Sequence, residues 1–425
     1  MRVEQKARLY TDILSHVLQK RCKGNIRLGL KGYGAKHLTL CARLSDPSDQ
    51  KSILSSGEDF ALAARIKHCI VQRQNGLIYF QVQLPEIYQK ELTRQDIVKK
   101  NLPSDTIALA EGWTGVQYDF PTYAPHGLFA GTTGSGKTEA IKSAIVGLAQ
   151  TYTPTQLRFL IVDGKKIDYG ADFNNMAHLS MPIAKDFNSY STVINYAYSE
   201  MIERYRLLST DSMYKTPYKI VLVIDEIHDS EIIGVPSNYE AIKNIAKKGR
   251  AADIHLIAGT QKPSQKGLPE ILDLLLNRFI GLVSDPNISF QLTGKKQLGA
   301  HLLAGEGDML HVMGAKAERC QICRTTEADY RSLPRAEIIE PELDLNRVYV
   351  PDDIILDKPK PGKPENKIET MALAYYEYHY PNFPTVEQAK AEGISYGKHK
   401  MHIDFLLSLF RDRKQLSLNG GRITR

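Results

Sequence analysis

Residues 126–148 (HGLFAGTTGSGKTEAIKSAIVGL) constrain this chain more than any other stretch. A short apolar run, Leu128-Phe129-Ala130, feeds a loop of Gly131, Thr132, Thr133, Gly134, Ser135, Gly136, Lys137 and Thr138. Ile141, Ala144, Ile145 and Leu148 then recur at helical spacing. Strand, G-x-x-x-x-G-K-T, helix is the context in which this pattern holds phosphate. Its glycines let backbone N–H groups curl around phosphate oxygens, and the helix N-terminus adds the positive end of its dipole. Lys137 is expected to reach the β- and γ-phosphates of a nucleoside triphosphate, and the Thr138 hydroxyl to ligate Mg²⁺.

Length and charge frame that motif. The 425 residues suffice for two or three domains with full cores. No apolar run approaches the roughly 18–20 residues of a membrane span, so any membrane association is expected through a partner, with a cytoplasmic location. Five cysteines, few and odd in number, argue for a reducing compartment. The net charge of +7 is uneven. Residues 1–115 hold 18 Lys/Arg against 11 Asp/Glu and residues 346–425 hold 13 against 10, which leaves the middle slightly acidic. Basic ends are compatible with a polyanionic partner.

The patterning predicts an α/β chain: a mostly parallel-sheet domain carrying the phosphate loop (116–345) behind a small N-terminal α+β domain (1–115). A Pro/Lys-rich linker (346–367) and a C-terminal winged helix-turn-helix (368–425) complete it. In the first domain Leu9, Ile13, Val17 and Leu18 mark an amphipathic helix, 26–30 and 37–42 read as strands, 60–71 as a helix and 77–84 as a strand. In the second, apolar strands alternate with helices, as in a mostly parallel sheet: strands at 157–162, 218–224, 254–258, 279–283, 309–312 and 318–325, and a long helix over 191–208. Three helical patterns and an Asn419-Gly420 hairpin signal close the chain.

Two further sites carry chemistry. Apolar residues 221–224 run into Asp225-Glu226, which places two carboxylates at a strand's C-terminal end, where such sheets bind ligands. Asp225 is expected to hold Mg²⁺, and Glu226 to polarise the attacking water. The strand at 254–258 delivers Thr260 and Gln261 to the same edge, where a polar side chain would sense the γ-phosphate. Lys165 and Lys166, after another strand, contact nucleotide or DNA or sit in a solvated turn. Cys320 and Cys323 have the spacing of half a zinc site, but no second Cys/His pair lies nearby, and no metal is expected there.

The combined pattern resembles the FtsK/SpoIIIE family of DNA translocases, within the FtsK–HerA branch of RecA-like motors. AGTTGSGKT (130–138), LRFLIVDGKK (157–166), EMIERYRLL (200–208), VIDEIHD (223–229), GRAADIHLIAGTQKPS (249–264) and LLAGEGDML (302–310) are each similar to a family segment. The resemblance implies a homo-hexameric ring that hydrolyses ATP to move along double-stranded DNA. Arg250 and Arg278 match family arginines, and in a ring a neighbouring subunit's arginine commonly stabilises charge on the γ-phosphate. The alternative for either is a surface residue or a structural ion pair. Lys262 stands where the family usually has Arg, Asp253 where it often has Gly, and 285–293 lacks its Asp-Ser-Arg motif. Together with the absence of a preceding membrane anchor, these departures point to a mobile element, with a relaxase, replication or transfer-channel protein as partner. A viral packaging ATPase, a protein-secretion ATPase and an ATP-gated DNA-binding adaptor are the alternatives. In the tail, Tyr396, Lys398, His399 and Lys400 lie on the expected recognition helix and Arg422 on the wing, all expected to contact DNA.

Overall fold

The computed structural model describes residues 3–74, 76–98, 106–112, 118–119, 126–170, 172–263, 268–295, 298–314 and 316–336. The expected linker and winged helix, with Tyr396, Lys398, His399, Lys400 and Arg422, lie outside the described residues.

The N-terminal region is an antiparallel sheet with helices on one face. Helix α1 (Val3–Gln19) buries Ala7, Tyr10, Leu14 and Leu18. This stripe is shifted from the expected one: Leu9 is exposed, because the i, i+3, i+4 set that includes Tyr10 supplies more area. Strands β1 (Ile26–Tyr33), β2 (His37–Leu44), β3 (Cys69–Gln74) and β4 (Leu77–Gln83) pair in the order β1-β2-β4-β3. Between β2 and β3 lie α2 (Gln50–Leu54) and α3 (Gly57–Ala64). The helix expected over 60–71 stops at Ala64. Arg65 adopts a left-handed conformation (φ 54°), and the Ile66 N–H returns to Ala61 O, a C-terminal cap that frees Cys69 to open a strand.

A short helix α4 (Arg94–Val98) leads to the two-residue pair β5 (Thr106–Ile107) and β7 (Tyr118–Asp119), with β6 (Ala110–Gly112) between them in sequence. β6 joins the motor sheet, which therefore recruits chain from before the expected boundary at 116.

The motor sheet continues through β8 (Gly127–Ala130), β9 (Leu157–Asp163), β10 (Lys219–Asp225), β11 (Ile254–Thr260), β12 (Asn277–Ile280), β13 (Asp308–Met313) and β14 (Lys316–Ile322). Among the described residues its order is β6-β14-β13-β12-β8-β11-β10-β9. From β12 to β9 all neighbours are parallel, and the β13, β14 and β6 pairings are antiparallel. The strands alternate faces. Ile220, Leu222 and Ile224 join one core with α6 (Phe187–Thr210) and α8 (Pro236–Lys248), while Val221 and Val223 join another with α5 (Lys137–Thr151). α6 begins four residues before the expected 191, because the Asp186 side chain accepts from Asn188 N and Ser189 N while Ser189 caps in return. Short helices α7 (Ser230–Ile233), α9 (Leu268–Leu272), α10 (Pro286–Thr293) and α11 (Glu327–Arg331) fill the connections. α10 occupies the place of the missing Asp-Ser-Arg motif and is capped by Asp285. No helix among the described residues is long and apolar enough to cross a membrane.

Strand order brings the sequence motifs together. β11 lies between β8, which carries the phosphate loop, and β10, which carries the acidic pair. The C-terminal ends of three parallel strands thus converge on one edge.

Candidate active site

Lys137 is the first residue of α5, at the end of the phosphate loop. Its first-turn N–H groups have no intrahelical acceptors, which makes this end of α5 a seat for anions. Across the β11 strand end, Lys137 Nζ pairs with Asp225 Oδ1 and lies 2.9 Å from Glu226 Oε1. All three side chains are buried. The lysine approaches this closely because Gly259 of β11 has no side chain: a Cβ there would sit 2.6 Å from Asp225 Oδ1 and 3.1 Å from Lys137 Nζ.

The Thr138 hydroxyl donates to Asp225 Oδ2 at 3.1 Å. Thr138 Oγ1 also lies 3.5 Å from Asp168 Oδ2 and 3.4 Å from Lys165 Nζ. Lys165 bridges Asp168 (3.2 Å) and Glu226 (3.4 Å). Three carboxylates (Asp168, Asp225, Glu226) thus face two ammonium groups. A hydroxyl and a carboxylate side by side, with negative charge in excess, suit a hard divalent cation that keeps part of its water shell. No group of three or more His, Cys, Asp and Glu side chains converges on a metal position among the described residues. The fit therefore rests on Thr138 and Asp225, with phosphate and water supplying the other oxygens.

Glu226 leaves β10 in a left-handed conformation (φ 66°), unusual for a residue with a side chain and characteristic of functional sites. Its carboxylate is held at one oxygen. Gln261 Nε2 donates to Oε1, while the Gln261 Oε1 accepts from the Thr133 hydroxyl at 3.1 Å, so one amide links the loop to the acid. Oε2 is buried and accepts no hydrogen bond among the described residues, with His228 Nδ1 3.2 Å away. An oriented acceptor with open lone pairs is what a water-polarising base requires. Burial pushes the Glu226 carboxyl up, but Lys137, Gln261 and His228 together outweigh it and hold it below its ordinary value. For His228 burial dominates and lowers the imidazole despite the neighbouring carboxylate. Burial likewise opposes the charge on Lys165, but Asp225, Asp168 and Glu226 win and its ammonium is raised.

The expected residues divide clearly. Lys137, Thr138, Asp225, Glu226 and Gln261 meet at one edge, and Thr133 reaches it through Gln261. Lys165 belongs to it, whereas Lys166 is exposed, 3.9 Å from Glu231. Arg250 is exposed on the 3₁₀ turn Gly249–Ala252 with no side-chain partner among the described residues. Arg278 is elsewhere. Its guanidinium donates to the carbonyls of Leu275 (2.8 Å), Leu292 (2.8 Å) and Leu272 (2.9 Å) of its own chain, at the N-terminal end of β12. That occupation is structural and leaves no fork to offer a neighbouring nucleotide. Cys320 lies in the sheet core, and Cys323 Sγ sits 3.2 Å from Ser143 Oγ of α5. Asp168 and His228 went unrecognised in the sequence. The one sign of His228 was its place in the acidic turn.

A phosphate loop and an acidic strand end on one sheet edge, with a single strand between them, give this domain the layout of a P-loop nucleotide site. Residues 90–216 match the model of the FtsK/SpoIIIE family. A DNA translocase FtsK from Caldanaerobacter subterraneus subsp. tengcongensis is 34% identical over 197 residues, covering 44% of this chain and 28% of that protein. The DNA translocase SftA of Bacillus subtilis is 30% identical over 205 residues, covering 44% and 21%. The chain thus spans less than a third of the length of these curated relatives. The cytoplasmic domain of the Thermomonospora curvata type VII secretion ATPase EccC superposes with a TM-score of 0.51 at 18% identity, covering 62% of this chain and 36% of that one. This last likeness is one of fold. Over residues 90–216 the chain is thus similar to FtsK/SpoIIIE-type motors.

Proposed function

We propose that the chain is an ATP-driven translocase of double-stranded DNA that works as a homo-hexameric ring and serves DNA transfer or processing by a mobile element. The observation that carries the hydrolytic part is the placement of Glu226, gripped at Oε1 by Gln261 and open at Oε2, beside Lys137 at the helix N-terminus. The DNA substrate is supported by the two relatives named as DNA translocases. In this reading Gly131–Thr138 wrap the phosphates of ATP and Lys137 neutralises the β- and γ-phosphates. Thr138 and Asp225 hold Mg²⁺, which supplies charge neutralisation at the phosphates when bound. Glu226 accepts a proton from the attacking water through Oε2. Gln261, joined to Thr133 and Glu226, sets the base relative to the loop. Arg250, exposed and without a side-chain partner among the described residues, is the arginine that remains available to act on a neighbouring subunit's nucleotide. The winged helix would contact DNA through Tyr396, Lys398, His399, Lys400 and Arg422.

The decisive experiment is displacement of a triplex-forming strand from duplex DNA by the full chain with ATP and Mg²⁺, wild type against Lys137→Ala. Displacement by the wild type alone supports translocation. ATP turnover without displacement favours an adaptor. Turnover indifferent to duplex DNA favours a mover of polypeptide.

A further inference from the structure

The segment 302–310 matches a family motif, yet it contributes no side chain to the catalytic edge. Its backbone explains why it is there. Gly305, Glu306 and Gly307 adopt three successive left-handed conformations (φ 83°, 50° and 85°). This curl aims the Glu306 N–H at Gly134 O (2.9 Å) and the Gly307 N–H at Ser135 O (2.9 Å). Two carbonyls of the phosphate loop are thereby engaged by the curl, while Gly131, Thr132 and Ser135 spend their N–H groups on Thr260 O, Leu282 O and Thr132 O, so the anion seat is left to the N–H groups at the start of α5. Contact is close enough that a Cβ on Gly136, itself at φ 92°, would collide with the Gly307 backbone.

The curl is held from behind. Asp308 Oδ2 accepts from Ala304 N (2.8 Å), Gln321 Nε2 donates to Glu306 O (2.9 Å), and Ile322 N donates to Gly307 O (2.8 Å). Asp308 is itself gripped through both oxygens by Arg319 (2.8 and 2.6 Å). The same guanidinium reaches Gln81 O on β4 of the N-terminal sheet at 3.3 Å. Arg319 and Asp308 are buried, and Arg319 lines a cavity of about 400 Å³ between the N-terminal domain and the motor. Hydrogen bonds rather than apolar packing therefore fix this side of the curl. The exposed Lys36–Glu306 pair (3.5 Å) adds little.

We infer that Asp308 and Arg319 are positioning residues that brace the phosphate loop through the 305–307 curl, and that the N-terminal sheet tunes nucleotide affinity by anchoring the brace at Gln81. The ligand of this brace, though not its mechanics, rests on reading residues 131–138 as an ATP site. Three independent bonds converge on a backbone segment whose partners on the other side are loop carbonyls.

The test uses the full chain, a fluorescent ATP analogue with Mg²⁺, and amide exchange of residues 131–138 measured without nucleotide. Arg319→Met is expected to raise the Kd for the analogue at least ten-fold and to speed exchange in the loop, with kcat at saturation within two-fold of wild type. Gln321→Met, which removes one strut and leaves the ion pair intact, is expected to do the same more weakly. Arg204→Met is the control. That arginine is also buried and bound to two carbonyls, Tyr218 O and Ala252 O, but at the far edge of the sheet. A Kd shift and faster exchange confined to the brace variants support the inference. Equal effects in the Arg204 variant, or none in either brace variant, overturn it. A wild type that binds no nucleotide would defeat the ATPase reading, while loop exchange still decides the brace.

Discussion

The two edges of the motor sheet use charge in opposite ways. At the C-terminal edge, Lys137, Lys165, Asp168, Asp225 and Glu226 are paired chiefly with one another, through contacts that an entering phosphate or cation can replace. At the N-terminal edge, polar groups are committed largely to backbone or to fixed partners. Arg204 binds two carbonyls and Arg278 three. His126 Nδ1 accepts from Leu256 N at 2.9 Å, and Asp253 is held by Thr216 and Lys219. Both edges carry charged residues. What separates a site from a scaffold is whether those residues have partners that can be exchanged.

The largest effect is expected at the exchangeable edge. Glu226→Gln keeps the side chain's size and its contact with Gln261 but removes the base, and should lower kcat about 10²- to 10³-fold while nucleotide still binds. Turnover at the wild-type rate would end the hydrolytic assignment. Next comes the committed edge. Arg278→Ala strips the Leu275 and Leu292 carbonyls of their donor, while Leu272 O keeps its bond from Leu275 N, and should cost about 2–4 kcal/mol in urea unfolding, with ATP turnover per folded molecule unchanged. Unchanged stability, combined with loss of activity when the variant is mixed into wild-type assemblies, would break the comparison and restore a role between subunits.

The smallest effect concerns pH. Burial, with His255 6.2 Å away adding to it, lowers His126 to about 3, and burial lowers His311 to about 4. Protonating His126 at Nδ1 would sacrifice its bond from Leu256. Because these folded-state values lie below the ordinary 6.5, the unfolded chain binds more protons once the pH falls below that value. Stability is therefore complete above about pH 6.5 and is lost progressively down to about pH 4 for His311 and pH 3 for His126, at up to about 1.4 kcal/mol per pH unit for each proton. A thermal midpoint that falls over this range, with a shallower slope in His311→Gln, is the expected record.

This contrast also marks what could be read from the chain alone. The phosphate loop, Asp225-Glu226 and Gln261 were legible because each follows directly from a strand, so that position along the chain sets position in space. Lys165 was visible only as a choice between nucleotide and solvent. Its partners Asp168 and Glu226 come from two different turns. His228 was hidden for a similar reason: it reaches Glu226 only because the backbone at 226 bends into the left-handed region. Arg278 looked like a free cation, since nothing in its neighbours reveals that Leu272, Leu275 and Leu292 would present their carbonyls to it. In the N-terminal domain the expected helix over 60–71 overran a cap formed by an ordinary arginine, where a glycine would have signalled the stop. Asp253 shows the converse. It takes the left-handed conformation (φ 53°) where the family often has glycine, and Lys219 and Thr216 secure it there.

The strand laid between β8 and β10 has a consequence for how the protein comes into being. Lys137 and Asp225 are 88 residues apart in sequence, and neighbouring strands are about 4.8 Å apart, so the two meet across a gap that only β11 fills. A nascent chain that has emerged through β10 already carries both the lysine and the acid, yet it has no edge on which to join them. The site arises only when residues 254–260 slot into place, later in synthesis than either half. The proposed nucleotide site is thus a property of the finished sheet, and a ligand that selects for it would protect completed molecules and ignore the fragments.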